Sequence, residues 1–491
     1  MSNLQGLIPA AGKGVRARPY THETHKGMLD INGVPNIQRI IEIMRDQLSI
    51  KRIVIVVGHL GDSIKAYFGD GHKFDVEIVY VRNNNLDRGL AWSIYIAREK
   101  LSSEYFCMML CDECYINSNH KDLLEYPYKN YLVTCCGMPV DDNTLIQQNF
   151  AICLDLQQNI TSLQEKPKIV PSRIMGSGTF LCRNTLFDHL ESAFNLSENH
   201  FVDFVSALNR IQQKAHSLGY FKIEGTYVNI NDRDSLYLAK YYERKRCFSE
   251  SSRGLVIYSE GFEENIGYTI QSYKELGIFR TISVVLPENN TIADYVHKSG
   301  AKTITCPNNI TLYGEKLKYA METTLEEIII LTEADYSFSS RDIDKLLTYL
   351  PEADMVIGTR TTRQLIEQGS NMRGLVRLAN AFLGRLLYFL WWNRRARFTD
   401  VGCTFRAIWK SSYDSIKEDL TSNGPEFSAD MMIALLSRHQ RVIEIPVNYF
   451  SRNQNIKGKY QTISTFFRFL KLILLRRIIS RPRGDRKVYF K

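Results

Sequence analysis

An alternation of strand-like and helix-like segments that begins, ends and begins again is what most narrows the folds open to this 491-residue chain. Leu7–Ala10, Ile53–Val57, Val76–Val81 and Tyr105–Leu110 are short runs rich in β-branched or aromatic residues, and Pro35–Met44, Ser63–Phe68 and Leu90–Leu101 carry helical spacing between them. Such a pattern predicts a parallel sheet with helices on its faces. From Ala239 to Arg253 the text AKYYERKRCFSESSR, a charged helix end passing into serines, predicts a boundary. The alternation then restarts at Leu255–Tyr258, Thr281–Leu286, Lys302–Thr305, Glu327–Leu331 and Asp354–Ile357. The length exceeds one ordinary core. Two Rossmann-like α/β domains are expected, over residues 1–245 and 254–460, with a linker at 246–253 and a tail at 461–491.

The net charge of +9 is unevenly spread: residues 451–491 hold 12 Lys or Arg and one acid, leaving the rest of the chain at −2. No recognition motif accompanies the basic tail, so nucleic acid is not an expected partner. Within the tail, Phe466, Phe467, Leu470, Ile473 and Leu474 form a stripe flanked by Arg468, Lys471, Arg476 and Arg477. Over Leu375–Tyr388, Leu378, Phe382, Leu383 and Leu386 share one helical face, away from Arg377, Asn380 and Arg385; Trp391, Trp392, Arg394 and Arg395 follow. Both segments predict contact with an anionic membrane surface. The competing readings are a core helix for the first and an inter-subunit helix for the second, which leaves an oligomer open. No run of 18 apolar residues and no signal peptide is present, so the expected location is cytoplasmic, peripheral on the inner face of the membrane. The ten scattered cysteines predict reduced thiols. The one CxxC, Cys111–Cys114, reads as buried thiols at a strand end rather than a zinc or redox pair, since no second pair follows and two carboxylates lie between the sulfurs.

The first strand runs into Gly6-Leu-Ile-Pro-Ala-Ala-Gly12-Lys-Gly14-Val-Arg16-Ala-Arg18-Pro19 and then His25-Lys26. A glycine-rich turn directly after a strand lets backbone N–H groups approach phosphate oxygens, and Arg16 and Lys26 supply cations that an ordinary turn does not need. The stretch from Leu7 to Pro35 resembles the signature of the sugar-phosphate nucleotidyltransferases, which make nucleotide-sugars from an NTP and a sugar 1-phosphate; the resemblance covers roughly residues 4–245. It implies a nucleotidyltransferase fold with Ala11, Gly12, Gly14 and Gly89 binding the nucleotide. Arg16 would hold the triphosphate, and Lys26 would neutralise the attacked α-phosphate. Gly89-Leu-Ala-Trp-Ser resembles the segment that touches the base, and Asp112 the first Mg²⁺ ligand. Glu165-Lys166-Pro167 resembles the family's Glu-Lys-Pro, with Lys166 facing the sugar phosphate. Gly176-Ser-Gly178-Thr-Phe resembles the strand before the substrate-closing region, with Glu165 and Gly178 on the substrate side. Asn229 stands where the second metal ligand is expected, often Asp in the family, and His25 stands where the family has Pro. The implied cofactor is Mg²⁺ or Mn²⁺. The implied substrates are an NTP, CTP or UTP rather than ATP, and a phosphorylated sugar or alcohol. Phosphocholine or inositol phosphate with CTP is the alternative, which Trp92 and Tyr95 would suit equally well.

The second half resembles the family-2 glycosyltransferases, the class that includes dolichol-phosphate mannosyltransferase. The resemblance rests on Ile328-Ile-Ile-Leu-Thr-Glu333-Ala-Asp335, Gly358-Thr-Arg360, Asn371-Met-Arg373, Asp400-Val-Gly-Cys-Thr-Phe405-Arg406 and Arg452-Asn-Gln-Asn-Ile-Lys457-Gly-Lys459. It implies a GT-A fold in which Glu333 and Asp335 hold a metal and the donor diphosphate. Arg360, Arg373, Arg406, Arg452 and Lys459 would clamp phosphates, and Asp400 would help place them, with a polyprenyl phosphate as acceptor. Two positions depart from the pattern: Glu333 replaces Asp, and Val285-Leu-Pro-Glu288-Asn289-Asn290 replaces Val-Asp-Asp-Gly-Ser. The expectation is a bifunctional transferase, against the alternative of a nucleotidyltransferase carrying a non-catalytic binding module.

Overall fold

The computed structural model describes residues 4–18, 20–197, 201–215, 217–260, 264–288, 290–367, 374–391, 397–451 and 463–479. The chain divides into two compact units, Met1–Tyr242 and Glu243–Lys491.

Apart from a two-residue antiparallel pair, Asp30–Ile31 with Val34–Pro35, the strands of the first unit are β1 (Gln5–Ala10), β2 (Arg52–Val57), β3 (Glu77–Arg82), β4 (Tyr105–Met109), β5 (Glu113–Ile116), β6 (Val133–Pro139), β7 (Phe150–Leu154), β8 (Ile160–Glu165), β9 (Ile174–Arg183), β10 (Leu218–Lys222) and β11 (Thr226–Asn229). The run RIVIVV in β2 is continuous because both of its faces are covered. Val54 and Val56 enter one core with Leu7, Phe106 and Met108, while Ile53 and Ile55 enter another with Ile8. Seven strands follow the order β3-β2-β1-β4-β9-β6-β10, and β7 and β8 extend from β9. Neighbours in that order are parallel except at β9, which is antiparallel to β4 and β6. Outside this sheet β5 and β11 form an antiparallel ladder in which Asn229 lies opposite Glu113.

The second unit is built on β12 (Arg253–Tyr258), β13 (Thr281–Pro287), β14 (Lys302–Cys306), β15 (Ile328–Glu333), β16 (Met355–Thr359), β17 (Arg406–Trp409) and β18 (Val442–Pro446), in the order β14-β13-β12-β15-β17-β16-β18. Here only β17 is reversed, against β15 and β16. Counted in chain order within its own unit, each seven-strand sheet therefore reads 3-2-1-4-6-5-7 with the sixth strand reversed. The alternation restarts in the sequence because the chain builds one strand order twice.

This order fixes where chemistry can sit. Between the first and fourth strands the connections leave in opposite directions, opening a crevice at the carboxyl ends of the strands. In the first unit the crevice joins the turn after β1 to the segment after β4. In the second it joins Ser259 and Glu260, after β12, to Glu333–Asp335 at the end of β15, with Tyr258 registered opposite Glu333. The expected linker at 246–253 is shortened at both ends: a helix, Arg233–Cys247, and the start of β12 at Arg253 leave residues 248–252 between them. In that turn Ser251 is buried and donates to the Cys247 carbonyl at 2.9 Å.

Candidate functional site

Two cavities share a wall at the carboxyl edge of the first sheet. The larger, about 480 Å³, is lined by the turn Ala11–Arg16, His25, Lys26, Asn83, Asp87, Gly89, Ser93 and Asp112, among others. The smaller, about 250 Å³, is lined by Asp112, Glu113, Asn149, Glu165, Lys166, Gly178 and Asn229, among others. Arg16, Leu90, Leu110 and Asp112 line both.

Each wall has a local cause. Gly14 takes φ +59°, a left-handed conformation that glycine adopts without a Cβ penalty, and Thr21 Oγ1 donates to its carbonyl at 2.7 Å. A Cβ on Gly12 would meet nothing within 4 Å, so that stretch of backbone faces open space. The following 3₁₀ turn, Val15–Ala17, leaves Arg16 exposed while burying Ala17. Lys26 opens a second 3₁₀ turn, Lys26–Met28, whose cap is His25: its Nδ1 accepts from the Gly27 N–H at 3.0 Å. Burial pulls the His25 pKa down to about 4 and keeps the ring neutral, as the cap requires. That contact gives His25 a structural task at the position where the family has proline.

Lys26 Nζ lies 2.5 Å from Asp112 Oδ2 and 3.1 Å from Asn231 Oδ1. Burial alone would raise the Asp112 pKa; the adjacent Lys26 ammonium, a backbone N–H and the charge of Arg16 overcome it, and the carboxyl titrates below its usual range. The loop carrying Asp112 is pinned from two sides. Asn36 Nδ2 donates to the Cys111 and Glu113 carbonyls, each at 2.9 Å, and the Ile230 N–H donates to the Asp112 carbonyl at 2.8 Å. Asn229 Nδ2 donates to Asn149 Oδ1 at 2.8 Å, while its own buried Oδ1 makes no hydrogen bond. Glu165 and Lys166 are paired at 2.5 Å, and Lys166 has φ +41°. Glu113, not singled out from the sequence, accepts from the Gly178 N–H through both oxygens, from Tyr115 at 2.5 Å and from Tyr227 at 2.7 Å. Burial raises its pKa to about 7 despite those donors.

Arg16, Lys26, Asp112, Lys166, Glu165, Gly178 and Asn229 are thus brought to one double cleft, with Ala11, Gly12, Gly14 and Gly89 at its larger end. Trp92 and Tyr95 are not among the lining residues. The Arg88 guanidinium stacks 3.4 Å over the Trp92 ring, and Tyr95 donates to Glu191 at 2.8 Å. Cys111 and Cys114 are buried free thiols. Among the described residues no three His, Cys, Asp or Glu side chains cluster as metal ligands.

The second unit differs from expectation in several places. Asp400 is fully buried and accepts from Arg360 Nε at 2.7 Å and Nη2 at 2.9 Å, so each of the pair has a structural partner within the fold. Arg406 is buried as well, donating to the Ser428 carbonyl at 3.0 Å and to that of Cys403. It is a core residue of β17, because the sheet is covered on the face this side chain takes. Glu333 Oε1 accepts from Thr404 at 2.7 Å, and Asp335 caps the Ser337 N–H at 3.0 Å. Glu288 accepts from the Asn308 N–H at 3.1 Å. Arg373, Arg452 and Lys459 lie outside the described residues.

Comparison with known proteins bears on the first unit. Residues 5–244 match the nucleotidyl transferase family model. The bifunctional protein GlmU of Methanococcus aeolicus is 26% identical over 228 residues, which are 46% of this chain and 51% of that protein. The UTP–glucose-1-phosphate uridylyltransferase AglF of Haloferax volcanii is 26% identical over 241 residues, 47% of this chain and 94% of that protein. The low-salt glycan biosynthesis nucleotidyltransferase Agl11 of the same organism is 25% identical, with 61% of its length spanned. The chain thus spans about half to three fifths of the length of two of these relatives. A UDP-glucose pyrophosphorylase solved with UDP-glucose superposes with a TM-score of 0.45 at 21% identity, covering 50% of this chain and 100% of that one. Over residues 5–244 the chain is thus similar to the nucleotidyl transferase family, and its relatives there include sugar-phosphate nucleotidyltransferases.

Proposed function

We propose that the first unit transfers a nucleotidyl group from an NTP to a sugar 1-phosphate and releases pyrophosphate. The observation that carries this reading is the double cleft: one chamber walled by a glycine turn, one by Glu165, Lys166 and Gly178, with Arg16 and Asp112 common to both. Two anions must meet for this reaction, and a junction lined by cations is what such a meeting needs. The nucleotide occupies the larger chamber, its triphosphate along the backbone of residues 11–14 and against Arg16. The sugar phosphate occupies the smaller chamber beside Lys166. An oxygen of the sugar phosphate attacks the α-phosphorus; the bond from that phosphorus to the bridging oxygen breaks, and pyrophosphate departs with the electron pair. The attacking phosphate is already ionised at neutral pH, so no side chain has to remove a proton.

Asp112 and Asn229 would hold a divalent cation. The fit rests on the Asn229 Oδ1, a buried oxygen without a hydrogen bond, in the same chamber as the Asp112 carboxylate. Oxygen donors of this kind suit Mg²⁺, which when bound supplies charge neutralisation between the phosphates. UTP is the favoured nucleotide, in line with the name of the AglF relative. The phosphocholine reading loses its aromatic support, since Trp92 is already covered by Arg88.

For the second unit we infer a GT-A-like transferase passing an activated sugar to a polyprenyl phosphate or another membrane-proximal acceptor. Its support is topological: Glu333 ends the fourth strand of its sheet and Asp335 follows it, as Asp112 follows the fourth strand of the other. The burial of Arg360, Asp400 and Arg406 favours the second reading, a binding module without transfer chemistry.

Pyrophosphate release by the full chain with Mg²⁺, screened over four NTPs against glucose 1-phosphate, other sugar 1-phosphates, phosphocholine and inositol phosphate, tests the first unit. Turnover with UTP and a sugar 1-phosphate is expected; no release with any pair rejects the proposal. Transfer from UDP-sugars to polyprenyl phosphate, wild type against Asp335→Ala, separates the two readings of the second unit.

A further inference from the structure

Two helices of the second unit, Gly374–Leu390 and Ile463–Ile479, pack side by side, with the rings of Phe382 and Phe466 6.3 Å apart. Each has one face in the core: Leu383 and Leu387 from the first, Phe469 and Ile473 from the second. Their contact with the sheet edge is close. A Cβ on Gly384 would collide with the Phe398 carbonyl at 2.4 Å, and one on Gly402 would touch Asn380 and Phe469 at 3.7 Å. Gly402 belongs to the segment that leads to Thr404, the partner of Glu333, so the helix pair borders the edge of the sheet that carries Glu333.

The opposite faces are apolar and open. Leu375 is 83% exposed, Phe389 77%, Ile463 79% and Ile478 67%, and Leu378, Phe382, Phe467, Leu474 and Leu475 add to them. Along the first helix Leu375, Leu378, Phe382, Arg385 and Phe389 recur every three or four residues, which is a single stripe. Along the second, Ile463, Phe467, Lys471, Leu474 and Ile478 do the same. Each stripe thus carries one exposed cation among its apolar residues. The two helices together contain six Lys or Arg and no Asp or Glu, and the chain continues beyond them with further cations at Arg481, Arg483, Arg486, Lys487 and Lys491.

We propose that this two-helix face docks on the surface of an anionic lipid bilayer. Contiguous exposed apolar patches of this kind mark interaction surfaces. Charge selects the occupant: a second copy of the chain, meeting this face with the same face, would bring cation against cation, whereas an anionic leaflet matches a face without a single carboxylate. Apolar side chains enter the acyl boundary while Arg385 and Lys471 reach the headgroups. The contact is peripheral, for among the described residues no helix is long and apolar enough to cross a membrane. The inference does not depend on either transfer reaction, because vesicle binding and pyrophosphate release are separate readouts.

Flotation of the full chain with phosphatidylcholine vesicles and with vesicles containing 30% phosphatidylglycerol, a proportion of about one anionic lipid in three, tests it. Wild type is expected to float with the anionic vesicles and to bind neutral ones at least about tenfold less. A Phe382→Ser, Phe467→Ser variant keeps every cation, and it should lose about tenfold or more in binding; both residues are exposed, so its melting curve should stay near that of wild type. Arg385→Glu with Lys471→Glu should lose the anionic preference. Binding by the serine variant equal to wild type would mean that the basic tail alone makes the contact, and it overturns the proposal. So would absence of vesicle binding by wild type, or a wild-type dimer that the serine substitutions convert to monomer without any effect on flotation.

Discussion

Lys26 and Asp112 hold one another 2.5 Å apart, so the position of the cation in the cleft is set by a partner within the fold. Lys26→Met removes the charge that keeps the Asp112 carboxyl acidic, and with it the charge proposed to face the α-phosphate. Pyrophosphate release should fall by about 10²–10³-fold in kcat, measured at saturating UTP and sugar phosphate. His120 makes a different prediction. Its ring is fully buried between Ser118 and Thr179, and burial drives its pKa down to about 3. Folded His120 stays neutral while the unfolded chain takes a proton below the ordinary value of 6.5. Its contribution to stability is therefore complete above 6.5 and is lost as the pH falls towards 3. Between pH 6.5 and about 4.5 that amounts to roughly 2–3 kcal/mol, and urea melts of His120→Asn should show a shallower loss across the same window than wild type. At this scale the sequence was informative where a residue belongs to a motif on one short stretch, as with Arg16 and Lys26. Glu113, Asn36 and His120 could not be read, because their partners are distant in the chain: Gly178 for Glu113, Cys111 for Asn36, Thr179 for His120.

Among the elements, β9 does the most to shape the smaller chamber, through two glycines. A Cβ on Gly176 would lie 2.0 Å from the Phe150 ring, and one on Gly178 would lie 2.5 Å from Leu110 and 2.7 Å from the Glu113 carboxyl. Gly176→Ala overpacks a rigid aromatic and should cost about 1–3 kcal/mol in chemical denaturation. Gly178→Ala displaces the strand that Glu113 holds, and should raise KM for the sugar phosphate more than KM for UTP. In the second unit, Asp400→Asn leaves the buried Arg360 guanidinium without its carboxylate and should destabilise that unit by about 3–5 kcal/mol. The parallel strands β1–β4 and β12–β16 were legible because most are continuous apolar runs, whereas the parallel strands β6, β10 and β18 were not. The β7–β8 hairpin and the β5–β11 ladder were not, since ITSLQE and TYVN alternate too weakly to separate a strand from a loop. The burial of Arg406 was not legible for a related reason. The residue sits on a strand buried on both faces, with Ile408 in one core and Ala407 and Trp409 in another, and nothing in the local text marks an arginine as internal.

The whole molecule repeats one strand order, and each copy places carboxylates at the end of its fourth strand. In the first unit that carboxylate is joined, within two cavities, by a glycine turn and by cations on both sides. The repeat was visible in the sequence as a restarted alternation, whereas the equivalence of the two switch points required the strand pairing. Nucleotidyl transfer is proposed for the first crevice, and the reverse reaction tests that proposal directly. UDP-glucose and pyrophosphate are supplied with Mg²⁺ to wild type, Asp112→Asn and Asp335→Asn, and UTP formation is followed. Wild type and Asp335→Asn should form UTP at equal rates, with Asp112→Asn slower by at least about 100-fold. An Asp112→Asn enzyme as fast as wild type, or a loss that follows Asp335 instead, would contradict the account.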